Sequence, residues 1–193
     1  MKNRIGIFGG TFNPVHNGHV AIAEDFIKKF SLDILYIIPN NVSPLKAESN
    51  VSGEDRLEML KIAFKGITKA VISDIELKRQ GPSYTWVTVY ELRVRHPESE
   101  LFLLTGDDWV GSFDKWKDFL FILNNAHLVV ATRSGKDITA ELDRLESLSG
   151  KRPRLLKNKK KEVSSTEFRA DGDGSNLPKG VFEYIKEQGL YGI

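Results

Sequence analysis

The stretch Arg4-Ile5-Gly6-Ile7-Phe8-Gly9-Gly10-Thr11-Phe12-Asn13-Pro14-Val15-His16-Asn17-Gly18-His19 decides how the rest of the chain is read. Arg4–Phe8 is short, rich in branched side chains and stopped by a double glycine, a pattern that predicts a buried strand. A helix is expected from about Gly18 to Lys29, with Val20, Ala23, Phe26, Ile27 and Phe30 on one apolar stripe. Strand, glycine turn and helix in that order form the opening unit of a parallel α/β sheet. Ligands of such sheets lie beyond the carboxyl ends of the strands, where the strand order reverses. Gly9–Asn13 falls at that edge. Two glycines let main-chain N–H groups approach an oxyanion, Thr11 adds a hydroxyl, and the helix points its positive end the same way. The segment therefore reads as a phosphate-handling site.

The same alternation continues. Ile34–Ile38 is expected as a strand stopped by Pro39, and Gly53–Phe64 as a helix capped by Ser52. Ala70–Ser73 is a short strand, Tyr84–Arg95 a helix ending before Pro97, and Leu101–Thr105 a strongly apolar strand. Phe119–Leu123 continues a short helix that Trp116 begins, and His127–Thr132 is the fifth strand. Asp137–Leu148 is helical, Arg154–Leu156 a sixth strand, and Lys179–Gln188 a closing helix. The fold class is α/β: a Rossmann-like, doubly wound parallel sheet with helices on both faces. No internal repeat and no long linker divides the chain, so one domain over 1–193 is expected, with a C-terminal helical part at about 164–193.

The chain has 193 residues, 40% hydrophobic and 28% charged, enough for a substantial core. Its formal net charge of +2 is too small to argue for nucleic acid or a membrane surface. The absence of cysteine excludes disulfides, thiolate catalysis and Cys-based zinc sites. No signal-peptide pattern and no apolar run of membrane-spanning length occur, so a soluble, cytoplasmic protein is expected. Lys151–Lys161 is a basic run, read as a solvated turn beside an edge strand, with contact to an anionic ligand or nucleic acid as the alternative. Ala170–Asn176 reads as a flexible polar loop.

The glycine turn has neither G-x-G-x-x-G spacing nor a following Gly-Lys-Ser/Thr. It offers instead His16-Asn17-Gly18-His19, two imidazoles three residues apart on the turn entering a helix, where both can point at one site. Both can donate to phosphate oxygens, and Gly18 leaves room for a nucleotide. Metal ligation and ordinary capping are the alternatives; the only other histidines are His96 and His127. A second pattern, Val163-Ser164-Ser165-Thr166-Glu167-Phe168-Arg169, supplies hydroxyls and N–H groups at a helix start, with Arg169 one turn in. Taken alone it is an N-cap, with Ser165 or Thr166 capping.

The first of these motifs resembles the N-terminal signature of the HxGH nucleotidyltransferases. In the form Gly9-Gly10-Thr11-Phe12 before Pro14-Val15-His16-Asn17-Gly18-His19 it is similar to the bacterial nicotinate mononucleotide adenylyltransferases. The Ser164–Arg169 pattern and the closing Leu177-Pro178…Tyr184-Ile185…Gly189-Leu190-Tyr191 resemble that family's C-terminal ATP signature and last helix. The chain departs from the family at Asn13, usually Asp, at Val87, often Asp, and in the less basic 170–176 loop.

The resemblance implies adenylyl transfer from ATP to nicotinate mononucleotide, giving deamido-NAD and pyrophosphate in NAD biosynthesis. It implies catalytic roles for His16, His19, Lys46 and Arg169. Gly9, Gly10, Thr11, Phe12, Gly18, Gly106, Asp108, Ser164, Ser165 and Thr166 would bind ATP. Thr85 would lie at the acceptor carboxylate, Trp116 would stack on the pyridine ring, and Arg133 is a candidate for the mononucleotide phosphate. Mg²⁺, held mainly by phosphates, is the expected cofactor, with no metal site built by the protein. The expected partners are these two substrates, with no nucleic acid and no membrane; a homo-oligomer is left open. Other acceptors or donors of the superfamily (nicotinamide mononucleotide, phosphopantetheine, a cytidylyl donor) and a nucleotide-binding regulator without turnover are the alternatives.

Overall fold

A computed structural model describes residues 2–42, 50–132, 137–157 and 163–193. Six strands form one sheet: β1 (Arg4–Gly10), β2 (Ile34–Pro39), β3 (Ala70–Ile72), β4 (Glu100–Gly106), β5 (His127–Thr132) and β6 (Arg154–Lys157). Their order is β3-β2-β1-β4-β5-β6, and every neighbouring pair is parallel. The helices are α1 (Asn17–Phe30), α2 (Gly53–Phe64), α3 (Thr85–Arg95), α4 (Asp107–Val110), α5 (Phe119–Asn125), α6 (Thr139–Ser149), α7 (Ser165–Asp171) and α8 (Val181–Glu187). This is the expected Rossmann-like nucleotidyltransferase architecture. No helix among the described residues is long and apolar enough to cross a membrane.

Both faces of the sheet are covered, and the period of two sorts side chains between them. Ile5 and Ile7 of β1, Leu101 and Leu103 of β4, and Leu128 and Val130 of β5 join one buried cluster with Val89 and Leu92 of α3 and Ile122 of α5. The alternate residues Phe102, Leu104, Val129 and Ala131 join the other, with Phe26 of α1, Leu60 of α2 and Val181 of α8. Gly6 leaves room for the packing around it: a Cβ there would meet Leu32 at 2.6 Å, Leu35 of β2 at 2.7 Å and Phe26 of α1 at 3.1 Å.

The register explains where a ligand can enter. β1 pairs with β2 as far as Gly10, opposite Pro39, but leaves β4 after Phe8, opposite Leu104. β4 continues along β5 through Thr105 and Gly106. The strand order reverses between β1 and β4, and there the two carboxyl ends part into a crevice. The first strand is thus two residues longer than expected. Gly9 and Gly10 extend the β2 ladder, and their β4-facing side is left open.

Other expectations need correction. Trp116 does not begin a helix: it follows a 3-10 turn at Phe113–Lys115 in an extended conformation, and α5 starts only after Asp118 adopts a left-handed φ of 54°. Tyr84 is the N-cap of α3 rather than its first residue. Ser164, not Ser165 or Thr166, caps α7, accepting from the N–H groups of Thr166 and Glu167. It sits in extended backbone one position earlier, where its hydroxyl can reach back over the first turn. The closing helix is shorter than Lys179–Gln188, because Gly180 takes a left-handed φ of 88° ahead of Val181. Ala170–Asn176 is locally ordered by side-chain bonds: α7 ends on left-handed Gly172, the Asp171 carboxylate accepts from Asp173 N, and that of Asp173 accepts from Ser175 N and Oγ.

The described part of the basic run behaves as a surface turn. Lys151 donates to the carbonyls of Leu123 and Asn124, Arg152 pairs with Asp143 and Glu146, and Arg154 lies over the Phe102 ring. Residues 158–161 of the run lie outside the described residues.

Candidate active site

The two histidines of the first motif open α1. His16 is the N-cap and His19 the third helical residue. Their rings stack at 3.6 Å between centroids, 19° from parallel. Each backs the other's main chain: His19 N donates to His16 Nδ1 at 3.3 Å, and His16 N donates to His19 Nδ1 at 3.2 Å. Capping and a shared target are therefore the same arrangement here. Because each Nδ1 accepts a main-chain N–H, each neutral ring carries its proton on Nε2, as a donor. His16 is 4% exposed and His19 half-buried.

Two neighbours hold the pair. The Phe12 ring, in backbone of φ 50°, packs edge-on against His19 at 5.0 Å and against Phe8 at 5.3 Å. It is buried in the core, so only its main chain is placed to meet a ligand. Gly18 has an internal reason to lack a side chain: its Cβ would lie 3.0 Å from His16 Nδ1 and 3.1 Å from Cε1.

The second motif docks directly on the first. Ser165 Oγ donates to Pro14 O at 2.9 Å, and Arg169 Nη1 donates to Asn13 O at 2.5 Å. Asn17 Nδ2 donates to Leu177 O at 3.2 Å. Residues some 150 positions apart thus form one wall. Asn13, the departure from the family pattern, is also tied down: Tyr191 donates its hydroxyl to Asn13 Oδ1 at 2.6 Å. An amide oxygen accepts this bond as a carboxylate would. A cleft beside this wall is lined by His16, Ser164, Glu167, Asp171, Asp173 and Asn176 among others.

Gly106 and Asp108 lie across the crevice, where Gly106 caps α4 and Asp108 is exposed. Asp107 between them is buried. Thr85 is the first residue of α3, whose N-cap Tyr84 makes no side-chain cap bond to the first-turn N–H groups. Trp116 is half-buried, with one face stacked on Phe113 at 4.7 Å and Trp109 edge-on at 6.3 Å. Lys46 and Arg133 lie outside the described residues. Among the described residues, no group of three or more His, Asp or Glu could hold a metal ion.

Two buried charges escaped the sequence reading. Arg56 on α2 is 2% exposed and donates to Thr11 O at 2.9 Å, Asn40 Oδ1 at 3.4 Å and Val51 O at 3.4 Å. Burial holds its guanidinium below the usual arginine range. The signal was its place on the buried face of α2 with Met59, Leu60 and Phe64, where a charged residue is unusual. Glu76 is 6% exposed behind α3. Its carboxylate accepts from Thr88 Oγ1 at 2.5 Å and is hydrogen-bonded to Ser83. Thr88 accepts from Arg79, and Ser83 Oγ accepts from Asn41 N, so both hydroxyl protons are directed at Glu76. Burial pushes the Glu76 carboxyl up, while the bond from Thr88, the Arg79 charge and the bond from Ser83 pull it back.

The comparisons with known proteins agree with this geometry. Residues 7–171 match the cytidylyltransferase-like family. A probable nicotinate-nucleotide adenylyltransferase of Neisseria meningitidis is 33% identical, over 97% of this chain and 98% of its own. One from Gemmatimonas aurantiaca is 36% identical, over 97% and 92%. The solved structure of Plasmodium falciparum nicotinic acid mononucleotide adenylyltransferase complexed with APC superposes with a TM-score of 0.78, covering 98% of each chain at 18% identity, a likeness of fold. The chain belongs to the cytidylyltransferase-like family and, within it, to the nicotinate-nucleotide adenylyltransferases.

Proposed function

We propose that this protein transfers AMP from ATP to the 5′-phosphate of nicotinate mononucleotide, releasing pyrophosphate and forming deamido-NAD. The observation that carries this reading is the His16–His19 pair, joined to the Ser164–Arg169 helix start at the crevice between β1 and β4. The uncapped start of α3 at Thr85 favours an acceptor with a carboxylate over one with a neutral amide.

The acceptor phosphate is already a nucleophile near neutral pH, because its second pKa is about 6. Direct in-line attack on the α-phosphorus therefore needs no general base and no covalent intermediate. The protein's task is positioning and charge stabilisation. His16 and His19 would donate through Nε2 to triphosphate oxygens, and their bonds would strengthen as charge grows on the leaving pyrophosphate. Arg169 and Lys46 would share that charge. Gly9, Gly10, Thr11 and Gly18 would let the nucleotide approach the main chain, with Phe12 supporting His19 from behind. Ser164, Ser165 and Thr166 would hold the donor at the start of α7, and Gly106 and Asp108 would meet its ribose. Thr85, Trp116 and Arg133 would hold the acceptor by carboxylate, ring and phosphate.

Enzymes of this kind that act on ATP use a divalent metal. Mg²⁺ would enter with ATP as part of the substrate, neutralising phosphate oxygens that supply most of its ligands. Incubation with ATP, Mg²⁺ and nicotinate mononucleotide should yield stoichiometric pyrophosphate and deamido-NAD. Pyrophosphate without dinucleotide would overturn the acceptor, and no turnover would overturn the reaction.

A further inference from the structure

Arg56 stands apart from the chain's other buried groups. It is a full positive charge, 2% exposed, and it forms no ion pair among the described residues. Among the described residues its three bonds go to neutral oxygens, on Thr11, Asn40 and Val51, and the exposed Glu54 acts on its charge without an ion-pair contact. A buried charge that lacks a counter-charge costs several kcal/mol unless something offsets it. Stability alone would be served as well by an apolar residue of similar volume, since α2 turns Met59, Leu60 and Phe64 to the same core.

The place of the charge gives it a use. Its Nη1 donates to the carbonyl of Thr11, the residue that follows the Gly9–Gly10 edge left open when β1 parts from β4. Asn40, just past β2, accepts from the same Nη1 and donates to Thr11 Oγ1 at 3.4 Å. One guanidinium therefore fixes the loop from behind and directs a poorly screened positive field through it. We infer that Arg56 is a positioning residue for the donor: its charge, which no carboxylate contacts among the described residues, acts through Thr11 to select for the polyphosphate chain of the nucleotide at the Gly9–Thr11 loop. The inference rests on the reading of this crevice as the seat of a nucleoside triphosphate. The missing counter-charge is then supplied by the ligand, and the cost of burying Arg56 is recovered on binding.

The test is equilibrium binding of ATP, AMP and adenosine to wild type, Arg56→Met, Arg56→Gln and Arg56→Lys, without acceptor. Neutral variants should weaken ATP by at least about tenfold, or ~1.4 kcal/mol. AMP should weaken by less, and adenosine should stay within about twofold. Arg56→Lys, which keeps the charge and loses the fork, should retain most of the preference for ATP over adenosine. Arg56→Gln serves as a second neutral variant should Arg56→Met fail to fold. Equal weakening of all three ligands would make Arg56 a structural clamp and overturn the inference, as would unchanged ATP affinity in a folded neutral variant. Failure of the wild type to bind ATP would instead refute the reading of the crevice, and wild-type ATP binding without turnover would refute only the proposed reaction.

Discussion

The two halves of the crevice are built on opposite plans. The half assigned to the donor rests on a buried cation, Arg56, whose hydrogen-bond partners among the described residues are neutral. The half assigned to the acceptor rests on a buried anion, Glu76, surrounded by hydroxyls and the Arg79 charge. On the first side the counter-charge is left for the ligand. On the second the charge is used up inside the protein, where its bonds to Ser83 and Thr88 hold the start of α3 beside Thr85. Field dominates one half and rigid placement the other, and single substitutions should separate the two.

The largest effect should come from His19→Ala, which removes a donor to the developing pyrophosphate. Its kcat should fall by about two to three orders of magnitude with circular dichroism and melting temperature near wild type. Near-normal turnover would take His19 out of the chemistry. Gly18→Ala should displace the His16 ring, since the new Cβ would lie 3.0 Å from Nδ1. A loss of roughly 10- to 100-fold in kcat, with little change in the acceptor KM, would mark it as a donor-side fault.

On the other side, Trp116→Ala should raise the acceptor KM about tenfold and leave the ATP KM within about twofold, because base–aromatic stacking is worth roughly 1–3 kcal/mol. Equal shifts in both constants would place Trp116 in packing alone. Glu76→Gln removes the charge from a buried network whose two hydroxyl protons point at the carboxylate, and puts an NH2 donor in place of one accepting oxygen. Denaturant unfolding should report a loss of about 1–3 kcal/mol. The smallest change is expected for Tyr191→Phe, which loses the 2.6 Å bond to Asn13. About 1 kcal/mol of stability and a few-fold rise in ATP KM should follow.

Legibility in the sequence also divides along this line. Donor-side residues come in contiguous motifs, Gly9–His19 and Ser164–Arg169, whose chemistry depends on a strand end and a helix start. Local periodicity reveals both. The α/β alternation was readable for the same reason, because a strand buried on both faces is a short apolar run. The start of the helix after Trp116 is not legible in the sequence, because it needs left-handed Asp118, which has no glycine to announce it. Placing the α7 cap at Ser165 or Thr166 failed by one residue, as three adjacent hydroxyls are equivalent until the backbone is known. Arg56 and Glu76 were invisible as functional groups. Burial, not residue type, makes them unusual, and burial depends on how α2 and α3 pack against the sheet. Asn13, a departure from the family pattern, is a satisfied acceptor, because Tyr191 returns to it from the far end of the chain.

The most direct test of the whole account is a competition in one vessel. Purified protein is given ATP, Mg²⁺ and equal concentrations of nicotinate and nicotinamide mononucleotide, and the dinucleotides are separated by chromatography. The account predicts deamido-NAD as the dominant product, with one pyrophosphate released per dinucleotide formed. Predominance of NAD, or pyrophosphate release without either dinucleotide, would contradict it.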